Sequence, residues 1–575
     1  MNYSFFSRTK ILSFCVCIFV LILITKLFLL QVVHKKDYRE QADHQYATPS
    51  SDIFKRGSIF LKQKDGQLVS GATQANGYKV AINPNEIIDA ESVYQKISKI
   101  IDIDQVEFIN IANKKGDPYE EIIHHINKEQ ADLISGLKIK GVSLFKEKWR
   151  LYPGNNLASH SIGLVAYKGD TMAGRYGLER QYNDTLGVTE NDMYVNFFAE
   201  VFSNIKKTLS TTENKSGDLI TTIEPNVQNF LENKLKDVKE KYNVDSIGGI
   251  IMNPKDGSIY AMSVKPDFDI NNFSKITNVS TFSNPLVENV LEFGSVIKPL
   301  VMASALDAGV INRDTTYNDG GMVLIDNKRE IYNFDKKGRG SNTSMQDVLN
   351  QSLNTGMVFV YKRLGKQKMY DYMMAFGLKD KTGIDLPNET SGLVSNLVSG
   401  LKNSRDIEYA NASFGQGIAM TPIQTIRALA SLSNGGNLVV PHLVDTIRYE
   451  DGTEKKMVYP TTRTKISEKT SEEITGMLVT VMDKSFQQNS PGIEHYSIAV
   501  KTGTAQVANP DGGGYYEDRH NHSFIGYFPA YDPKFIILLY AINPKGILYA
   551  SQTWANPFLD ITKFILNYYE IPTDR

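Results

Sequence analysis

The sequence predicts an α+β protein whose main domain is a sheet of five strands covered by helices. Two apolar segments, Ser246–Met252 and Ser258–Val264, flank the turn Asn253–Gly257, which is a typical β-hairpin signal. Helical periodicity occupies much of Gly294–Leu432. Three apolar, β-branched segments then follow at Ile498–Gln506, Ser523–Phe528 and Phe535–Ala541. Two strands, a helical insertion and three strands indicate one mixed domain, which we place at residues 217–575.

Regular elements are also predicted at both ends of this domain. A short strand at its start precedes Pro225, which opens an amphipathic helix because proline suits the first helical turn. Val227, Leu231 and Leu235 form the apolar stripe of that helix. A last helix is expected at about Pro557–Tyr568.

Residues 46–216 are predicted to form a separate, elongated pedestal of mixed secondary structure. Gly77–Ile87 alternates like a half-buried strand. Asp89–Ile101 and Tyr119–Ile139 have the spacing of apolar residues expected for helices. No nucleophiles, acids or metal ligands cluster in this region, so we expect its role to be that of a scaffold.

An apolar segment at residues 11–33 precedes the pedestal and is long enough to cross a hydrocarbon core of about 30 Å as a helix. Its Lys26 is off-centre, so the ammonium group can extend to the nearer interface. The alternative is a cleavable signal peptide, but the segment exceeds an ordinary signal core and no small-x-small cleavage pattern follows. We therefore predict a single transmembrane anchor after a short tail, residues 1–10.

The amino-acid composition narrows the classes of molecule that this protein is expected to bind. The 63 Lys and Arg balance 64 Asp and Glu, so there is no global positive field and nucleic acid is not an expected partner. Both cysteines, Cys15 and Cys17, lie within the apolar N-terminal segment. The remaining chain therefore has no disulfide and no thiolate metal site.

The first pattern that carries chemistry is Ser295-Val296-Ile297-Lys298. S-x-x-K is a weak signal alone, because it occurs five more times, but Ser295 follows a glycine at the entry of an apolar helix. There the hydroxyl meets the free N–H groups and positive dipole of the helix end, and Lys298 lies on the same face. The other five copies, which we interpret as surface pairs, begin at Ser7, Ser135, Ser143, Ser203 and Ser399.

Two further patterns follow in order. Ser352-Leu353-Asn354 is an S-x-N sequence, for which the plain alternative is a polar loop between helices. Lys501-Thr502-Gly503-Thr504 lies on an otherwise apolar, β-branched strand. A second K-T-G at Lys381 lies in a loop with no strand to align a substrate, and we reject it. The order and contexts of the three patterns make the set specific.

Each residue has a chemical role in such a set. Serine is a poor nucleophile until a base removes its proton, and Lys298 can serve only if burial and a neighbouring charge such as Lys501 lower its pKa. Ser352 could relay a proton to the leaving amine, while Asn354 holds Lys298 and a substrate amide. Lys501 with Thr502, Gly503 and Thr504 would bind a substrate carboxylate. Backbone N–H groups of Ser295 and Thr504 could form an oxyanion hole.

With these motifs the chain resembles the class B penicillin-binding proteins, monofunctional D,D-transpeptidases, and within them the division-specific, septal (FtsI) type. The resemblance covers most of residues 50–575. It includes blocks outside the three motifs: RGSIF at 56–60, YPGNNLASHSIGLV at 152–165, GRYGLERQYNDTLG at 174–187, ASFGQGIAMTPIQ at 412–424 and HSFIGYFPAYDP at 522–533.

The resemblance implies a five-stranded antiparallel sheet in the transpeptidase domain and an enzyme held in the cytoplasmic membrane, with that domain on the extracytoplasmic side. It implies cross-linking of peptidoglycan stem peptides through a Ser295 acyl-enzyme with release of terminal D-Ala, and inhibition by β-lactams at the same serine. It also implies partnership with a membrane-embedded glycan polymerase and other division proteins. No cofactor is implied.

Several alternatives stay open at this point. An elongation-type transpeptidase, a D,D-carboxypeptidase or a β-lactamase would carry the same three motifs. A division scaffold or a β-lactam sensor without enzymatic activity could keep the fold. A metal site at His520 and His522, beside Glu517 and Asp518, is a minor alternative, because the sequence places no third group of ligands there. We predict no metal.

Overall fold

The computed structural model describes residues 55–168, 171–187, 216–402, 405–486, 493–509 and 513–575, together with the single positions 14, 18, 19, 20, 21, 23 and 26. The predicted transmembrane segment at 11–33 and the tail at 1–10 therefore lie outside the described residues, apart from those single positions. Among the residues that are described, no helix is long and apolar enough to span a bilayer. The chain divides into two compact units: Gln74–Trp149 belong to one, and Arg56–Thr73 with Arg150–Arg575 form the other.

In the smaller unit, the later part of the strand Leu68–Ile82 pairs antiparallel with the strand Glu120–Ile126. This corrects the helix predicted over 119–139, because only Lys128–Gly136 is helical. Three β-branched isoleucines in the seven residues EEIIHHI favour the strand. Asn127 then starts the helix through a reciprocal capping box with Gln130. The other elements of this unit are the helices Ala90–Ile97 and Gln105–Ala112 and most of the strand Val142–Leu151.

In the larger unit, the predicted five-stranded sheet is present and entirely antiparallel. Its strands, in chain order, are β1 (Ser246–Met252), β2 (Ile259–Lys265), β3 (Ala499–Ala508), β4 (Tyr515–Phe528) and β5 (Phe535–Ile542). Their order across the sheet is β3-β4-β5-β1-β2. The strand β3, which carries the K-T-G motif, is therefore an edge strand with one side of its backbone unpaired within the sheet.

Helices cover this sheet, and five of them matter for the site or the core: α1 (Pro225–Tyr242), α2 (Lys298–Asp307), α3 (Asn354–Leu364), α4 (Glu468–Ser485) and α5 (Ala550–Tyr568). The predicted start of α1 at Pro225 and its stripe of Val227, Leu231 and Leu235 are confirmed, since all three side chains are buried.

The last helix, α5, begins at Ala550, seven residues before the predicted start at Pro557. A proline inside a helix removes one backbone hydrogen bond and is unfavourable there. Packing outweighs this cost, because the preceding turn buries Trp554 completely and its indole N–H donates to the His522 carbonyl at 3.2 Å. Phe558, directly after the proline, is buried against Gly526 of β4.

A second sheet lies in the same unit. The strand Ile59–Lys62 pairs parallel with Gly217–Thr221, which pairs antiparallel with Val444–Tyr449. The remaining strands of the larger unit are Val165–Lys168, Thr171–Gly174, Thr316–Asp319, Met322–Ile325, Arg329–Tyr332, Gly340–Ser344, Asn437–Leu438, Glu454–Lys456 and Thr462–Arg463. Its remaining helices and 3-10 turns are Ser159–Ile162, Gly177–Gln181, Asn183–Leu186, Ile270–Lys275, Val279–Phe282, Pro285–Glu288, Gly294–Ile297, Met345–Asn350, Lys366–Ala375, Ser395–Lys402, Ile407–Ala412 and Pro422–Ala430.

Candidate active site

Ser295 lies in the 3-10 turn Gly294–Ile297, which leads directly into α2. Gly294 has φ +57°, a left-handed conformation that glycine adopts without steric cost. Ser295 is half-buried, whereas the three residues that follow it, Val296, Ile297 and Lys298, are buried. Lys298 follows at the first position of α2, three residues on, which is the spacing that places two side chains on one helix face.

The edge strand β3 packs directly on this turn. A Cβ on Gly503 would lie 2.4 Å from the Phe293 carbonyl oxygen, and a Cβ on Gly294 would lie 2.9 Å from the Thr504 carbonyl oxygen. We call Gly294–Ile297 the nucleophile turn, after the role predicted for Ser295. The backbones of the K-T-G strand and of this turn can approach so closely only because both positions are glycine. Ser523 of β4 fixes the contact, since its hydroxyl donates to the Phe293 carbonyl at 2.9 Å.

The S-x-N segment meets both motif lysines at one hydroxyl. Lys298 Nζ lies 3.2 Å from Ser352 Oγ, and Lys501 Nζ lies 3.0 Å from the same oxygen. Lys298 also donates to the Ser352 carbonyl at 2.5 Å and to Asn354 Oδ1 at 2.8 Å. The fold thus brings three distant parts of the sequence into one hydrogen-bonded cluster, which consists of Lys298, Ser352 with Asn354, and Lys501.

Ser352 has φ +55°, which is uncommon for a residue other than glycine. Such a conformation costs about 1–3 kcal/mol and persists only where the surroundings hold it. Here Lys298 holds it by binding both the carbonyl and the hydroxyl of Ser352, while Leu353 is fully buried. The strained backbone turns the hydroxyl toward the two lysines.

Burial sets the charges of the lysine pair. Lys298 and Lys501 are 0% and 1% exposed. Desolvation lowers the pKa of Lys298 well below its usual value, and the nearby Lys501 lowers it further. Desolvation also lowers the pKa of Lys501, to about 7. Lys298 is therefore the member of the pair that can be neutral near pH 7 and accept a proton, while Lys501 retains part of its positive charge.

The sequence resemblance implies acylation by β-lactams, and this electrostatic arrangement predicts how acylation by a carboxylate-bearing β-lactam depends on pH. The second-order rate constant reports the free enzyme, and the charged form of Lys501 is lost as pH rises through about 7. We therefore expect that constant to fall by about 10- to 100-fold above this pH, the loss expected for a charge-assisted hydrogen bond. Stopped-flow kinetics of acylation, recorded from pH 5.5 to 10, measure this rate constant at each pH. A rate that climbs steadily to pH 10 would contradict both lowered pKa values.

The comparisons with known proteins agree with this geometry. The family profile described as the penicillin-binding protein transpeptidase domain matches residues 247–563, and that of the penicillin-binding protein dimerisation domain matches residues 54–222. The chain belongs to the penicillin-binding protein family.

Two curated relatives of this penicillin-binding protein span nearly the whole chain. Stage V sporulation protein D of Bacillus subtilis is 30% identical over 96% of this chain and 83% of the relative. Peptidoglycan D,D-transpeptidase FtsI of Buchnera aphidicola subsp. Schizaphis graminum is 26% identical over 97% and 94%.

Solved structures share the fold. Penicillin-binding protein 2X of Streptococcus thermophilus has a TM-score of 0.71 at 20% identity, covering 90% of this chain and 80% of that chain. Penicillin-binding protein 3 of Mycobacterium tuberculosis, complexed with aztreonam, has a TM-score of 0.67 at 20% identity, covering 91% and 97%. The predicted family and its two-part fold are confirmed.

The residues of this penicillin-binding protein that are predicted to bind substrate, Thr502, Gly503 and Thr504, lie on β3. Thr502 and Thr504 are half-buried, and Thr504 Oγ1 accepts a hydrogen bond from the Ala550 N–H at the start of α5, at 3.2 Å. The second K-T-G sequence, at Lys381, lies in a loop, as predicted, and its hydrogen bonds are to another residue of the chain. Thr382 donates to Glu389 through its backbone N–H and its hydroxyl, so this copy binds a carboxylate of the chain itself.

A carboxylate beside the nucleophile turn was missed in the sequence. Glu292 accepts hydrogen bonds from the Gly417 N–H at 3.1 Å and from the Tyr515 hydroxyl at 3.1 and 3.0 Å. Burial raises its pKa. The neighbouring Gly415 approaches so closely that a Cβ there would lie 2.0 Å from the Gly294 carbonyl oxygen. The sequence signals for this contact were limited to an acidic residue three positions before Ser295 and the glycines of the 412–424 block.

His522, which was considered as a metal ligand, uses both ring nitrogens in hydrogen bonds. Nδ1 lies 2.8 Å from Thr553 Oγ1 and Nε2 lies 3.1 Å from the Leu548 carbonyl oxygen. The ring is fully buried, and desolvation lowers its pKa to about 4. These contacts give His522 a structural role in attaching β4 to α5.

Proposed function

We propose that this protein is a serine-type peptidoglycan D,D-transpeptidase that cross-links stem peptides. The observation that carries the proposal is the meeting of Lys298 and Lys501 at the Ser352 hydroxyl, beside a nucleophile turn packed on an edge strand. A neutral lysine, a hydroxyl relay and a second, cationic lysine are the groups that serine acyl transfer on an anionic peptide needs.

In the acylation step, Ser295 Oγ attacks the carbonyl carbon of the penultimate D-Ala and Lys298 takes the hydroxyl proton. Backbone N–H groups of Ser295 and Thr504 stabilise the oxyanion. The C–N bond then breaks, and the terminal D-Ala leaves as an amine that receives its proton through Ser352. Lys501, with Thr502, Gly503 and Thr504, binds the terminal carboxylate of the donor.

In the transfer step, an amine on a neighbouring stem attacks the acyl-enzyme and gives a proton to Lys298. The bond to Ser295 Oγ breaks, Lys298 returns the proton to that oxygen, and a new amide joins the two stems. A β-lactam enters by the same first step, but its leaving nitrogen stays tethered within the acyl group. β-Lactams are therefore covalent inhibitors of the same serine. Asn354 holds Lys298 and a substrate amide during both steps.

The cellular setting completes the proposal. Residues 11–33 anchor the chain as a single pass in the cytoplasmic membrane, with the tail 1–10 inside. The pedestal, 46–216, and the transpeptidase domain, 217–575, are on the extracytoplasmic side. Relatives named for FtsI and for sporulation support a septal role, in which the chain works with a membrane-embedded glycan polymerase and other division proteins.

A D,D-carboxypeptidase is the second candidate, because water could resolve the same acyl-enzyme. The two are distinguished with a stem-pentapeptide mimic as donor and a D-amino acid as acceptor. We expect the acylated acceptor to form in proportion to released D-Ala, with little free tetrapeptide. Release of D-Ala with only hydrolysed donor, unchanged by added acceptor, would identify a carboxypeptidase. No release and no labelling by penicillin would favour a non-enzymatic scaffold.

A further inference from the structure

The segment Thr316–Ser344, which we call the arm, approaches the active site from the side of the S-x-N motif. It consists of two hairpins: Thr316–Asp319 pairs with Gly340–Ser344, and Met322–Ile325 pairs with Arg329–Tyr332. None of the three sequence motifs lies in the arm. Its root nevertheless contacts the residues that begin α3.

A buried polar cluster forms that root. Asp319, Asn333 and Thr355 are 2%, 1% and 5% exposed. The Asp319 carboxylate accepts hydrogen bonds from Asn333 Nδ2 at 3.0 Å, from Thr355 Oγ1 at 2.8 Å and from the Gly321 N–H at 3.0 Å. Asn333 Oδ1 in turn accepts from the Thr355 N–H at 3.2 Å. Asn333 thus connects the carboxylate of the arm to the backbone of α3.

The composition of this cluster is unusual for a purely structural joint. Among the described residues, Asp319 forms no ion pair, so its charge is supported by hydrogen bonds alone. Burying a carboxylate without a counter-charge is unfavourable unless hydrogen bonds satisfy it, so the three partners must be held in place around Asp319. The hydrogen bonds of this polar cluster fix the position of the Thr355 backbone and side chain.

The fixed position of Thr355 is passed on to Lys298 through one neighbouring residue, Asn354. Tyr332 and Asn354 are the sequence neighbours of Asn333 and Thr355, and the Tyr332 carbonyl accepts from Asn354 Nδ2 at 3.0 Å. With the amide nitrogen held by the arm, the Asn354 oxygen faces Lys298 Nζ at 2.8 Å. If the amide turned over, two donors would meet and this contact would be lost.

We propose that Asn333, supported by Asp319, is a positioning residue that holds the Asn354 amide oxygen on Lys298 during acyl transfer. It acts through the Thr355 backbone and the Tyr332 carbonyl and touches neither substrate nor nucleophile. The proposal rests on the transpeptidase function proposed above. It assigns to the arm a part in setting the geometry of the base.

The test uses Asn333→Asp, which places two carboxylates together, Asp319→Asn, which is nearly isosteric, and the exchange of both residues in one chain. Each single change is expected to lower the second-order rate constant of acylation by fluorescent penicillin by about 10- to 100-fold, the usual effect of misplacing a reacting group. The double exchange restores a carboxylate–amide pair and is expected to return the constant to within about fivefold of wild type, since the pair is regained in reversed order.

The pH profile separates positioning from folding. Lys298 faces the ammonium of Lys501 and oxygens of Ser352 and Asn354. Losing the Asn354 oxygen removes an acceptor that favours the protonated lysine, so the rising limb of acylation against pH should move to lower pH in Asp319→Asn, which adds no negative charge. Lys328→Ala, in the exposed turn of the arm, is the control and should keep the wild-type profile.

Wild-type labelling is measured in the same series, so failure of the transpeptidase function itself would be visible separately as an unlabelled parent protein. The proposal is overturned if folded Asp319→Asn keeps both the wild-type rate constant of acylation and the wild-type position of the rising limb in the pH profile. It is also overturned if the double exchange recovers the thermal midpoint but not acylation, because the pair would then serve the fold alone. If Asn333→Asp does not fold, the results for Asp319→Asn and for the double exchange decide whether Asn333 is a positioning residue.

Discussion

Replacing Ser295 by Ala is expected to abolish covalent labelling by a fluorescent penicillin, with a loss beyond the roughly thousandfold range of a gel assay. The Ser295 hydroxyl oxygen is the atom that the proposed mechanism acylates. The hydroxyl that contacts both lysines belongs to Ser352, and its oxygen is held between them as a relay, so we do not expect it to replace Ser295. Removing one member of such a unit typically costs as much as removing all of it. In-gel fluorescence after incubation of the full-length protein measures the outcome.

The matched control is Ser399→Ala, which removes the serine of a second S-x-x-K pattern. Ser399 lies in the helix Ser395–Lys402, where its hydroxyl donates to the Ser395 carbonyl at 2.9 Å, remote from the lysine pair in the hydrogen-bond network. This variant should label like wild type. Persistent label on folded Ser295→Ala, located by peptide mapping to another residue, would remove Ser295 from the mechanism.

Replacing Glu179 by Gln is expected to destabilise the larger unit by about 3–5 kcal/mol, the effect of breaking a buried ion pair from one side. The Glu179 side chain is 0% exposed and lies between two guanidinium groups: Arg56 Nε is 2.6 Å from Oε2, and Arg150 Nε is 2.6 Å from Oε1. Tyr152 adds a hydroxyl at 3.4 Å. A neutral amide would leave two buried positive charges facing each other without a counter-charge.

The thermal unfolding midpoint of the full-length protein measures this effect, and a fall of several degrees is expected. Glu570→Gln is the control, because Glu570 is 84% exposed and its ion pair with Lys64 spans 3.4 Å. Exposed pairs contribute only about 0–1 kcal/mol. Equal midpoints for the two variants would show that the Glu179 cluster does not hold the fold.

The sequence was sufficient to predict that the three motifs come together, because each motif has its own chemical pattern and the order of three restricts chance matches. It was also sufficient for the five strands, whose apolar, β-branched residues face a covered sheet. The hydrogen bonds that align these motifs were not predictable. Ser523 and Glu292 act through backbone carbonyl and N–H groups of distant residues, and a backbone partner leaves no pattern in the sequence.

The Glu179 cluster shows the same limit. RGSIF and GRYGLERQ were recognised as family blocks, but nothing in them indicated that Arg56 and Glu179 would meet in the core. The strand at Glu120–Ile126 was mistaken for a helix because its apolar residues also fit a helical spacing. The start of α5 was misplaced because the packing of Trp554 and Phe558 outweighs a local proline signal.

The close backbone contacts at Gly503 and Gly415 also limit how this protein could evolve resistance to antibiotics. A side chain at either position would collide with a backbone oxygen, of Phe293 or Gly294, and displace the nucleophile turn. Such a change would harm wall synthesis as much as drug binding, so selection would remove it. Escape substitutions are therefore expected at neighbouring positions with room for a new side chain, where the two activities can diverge.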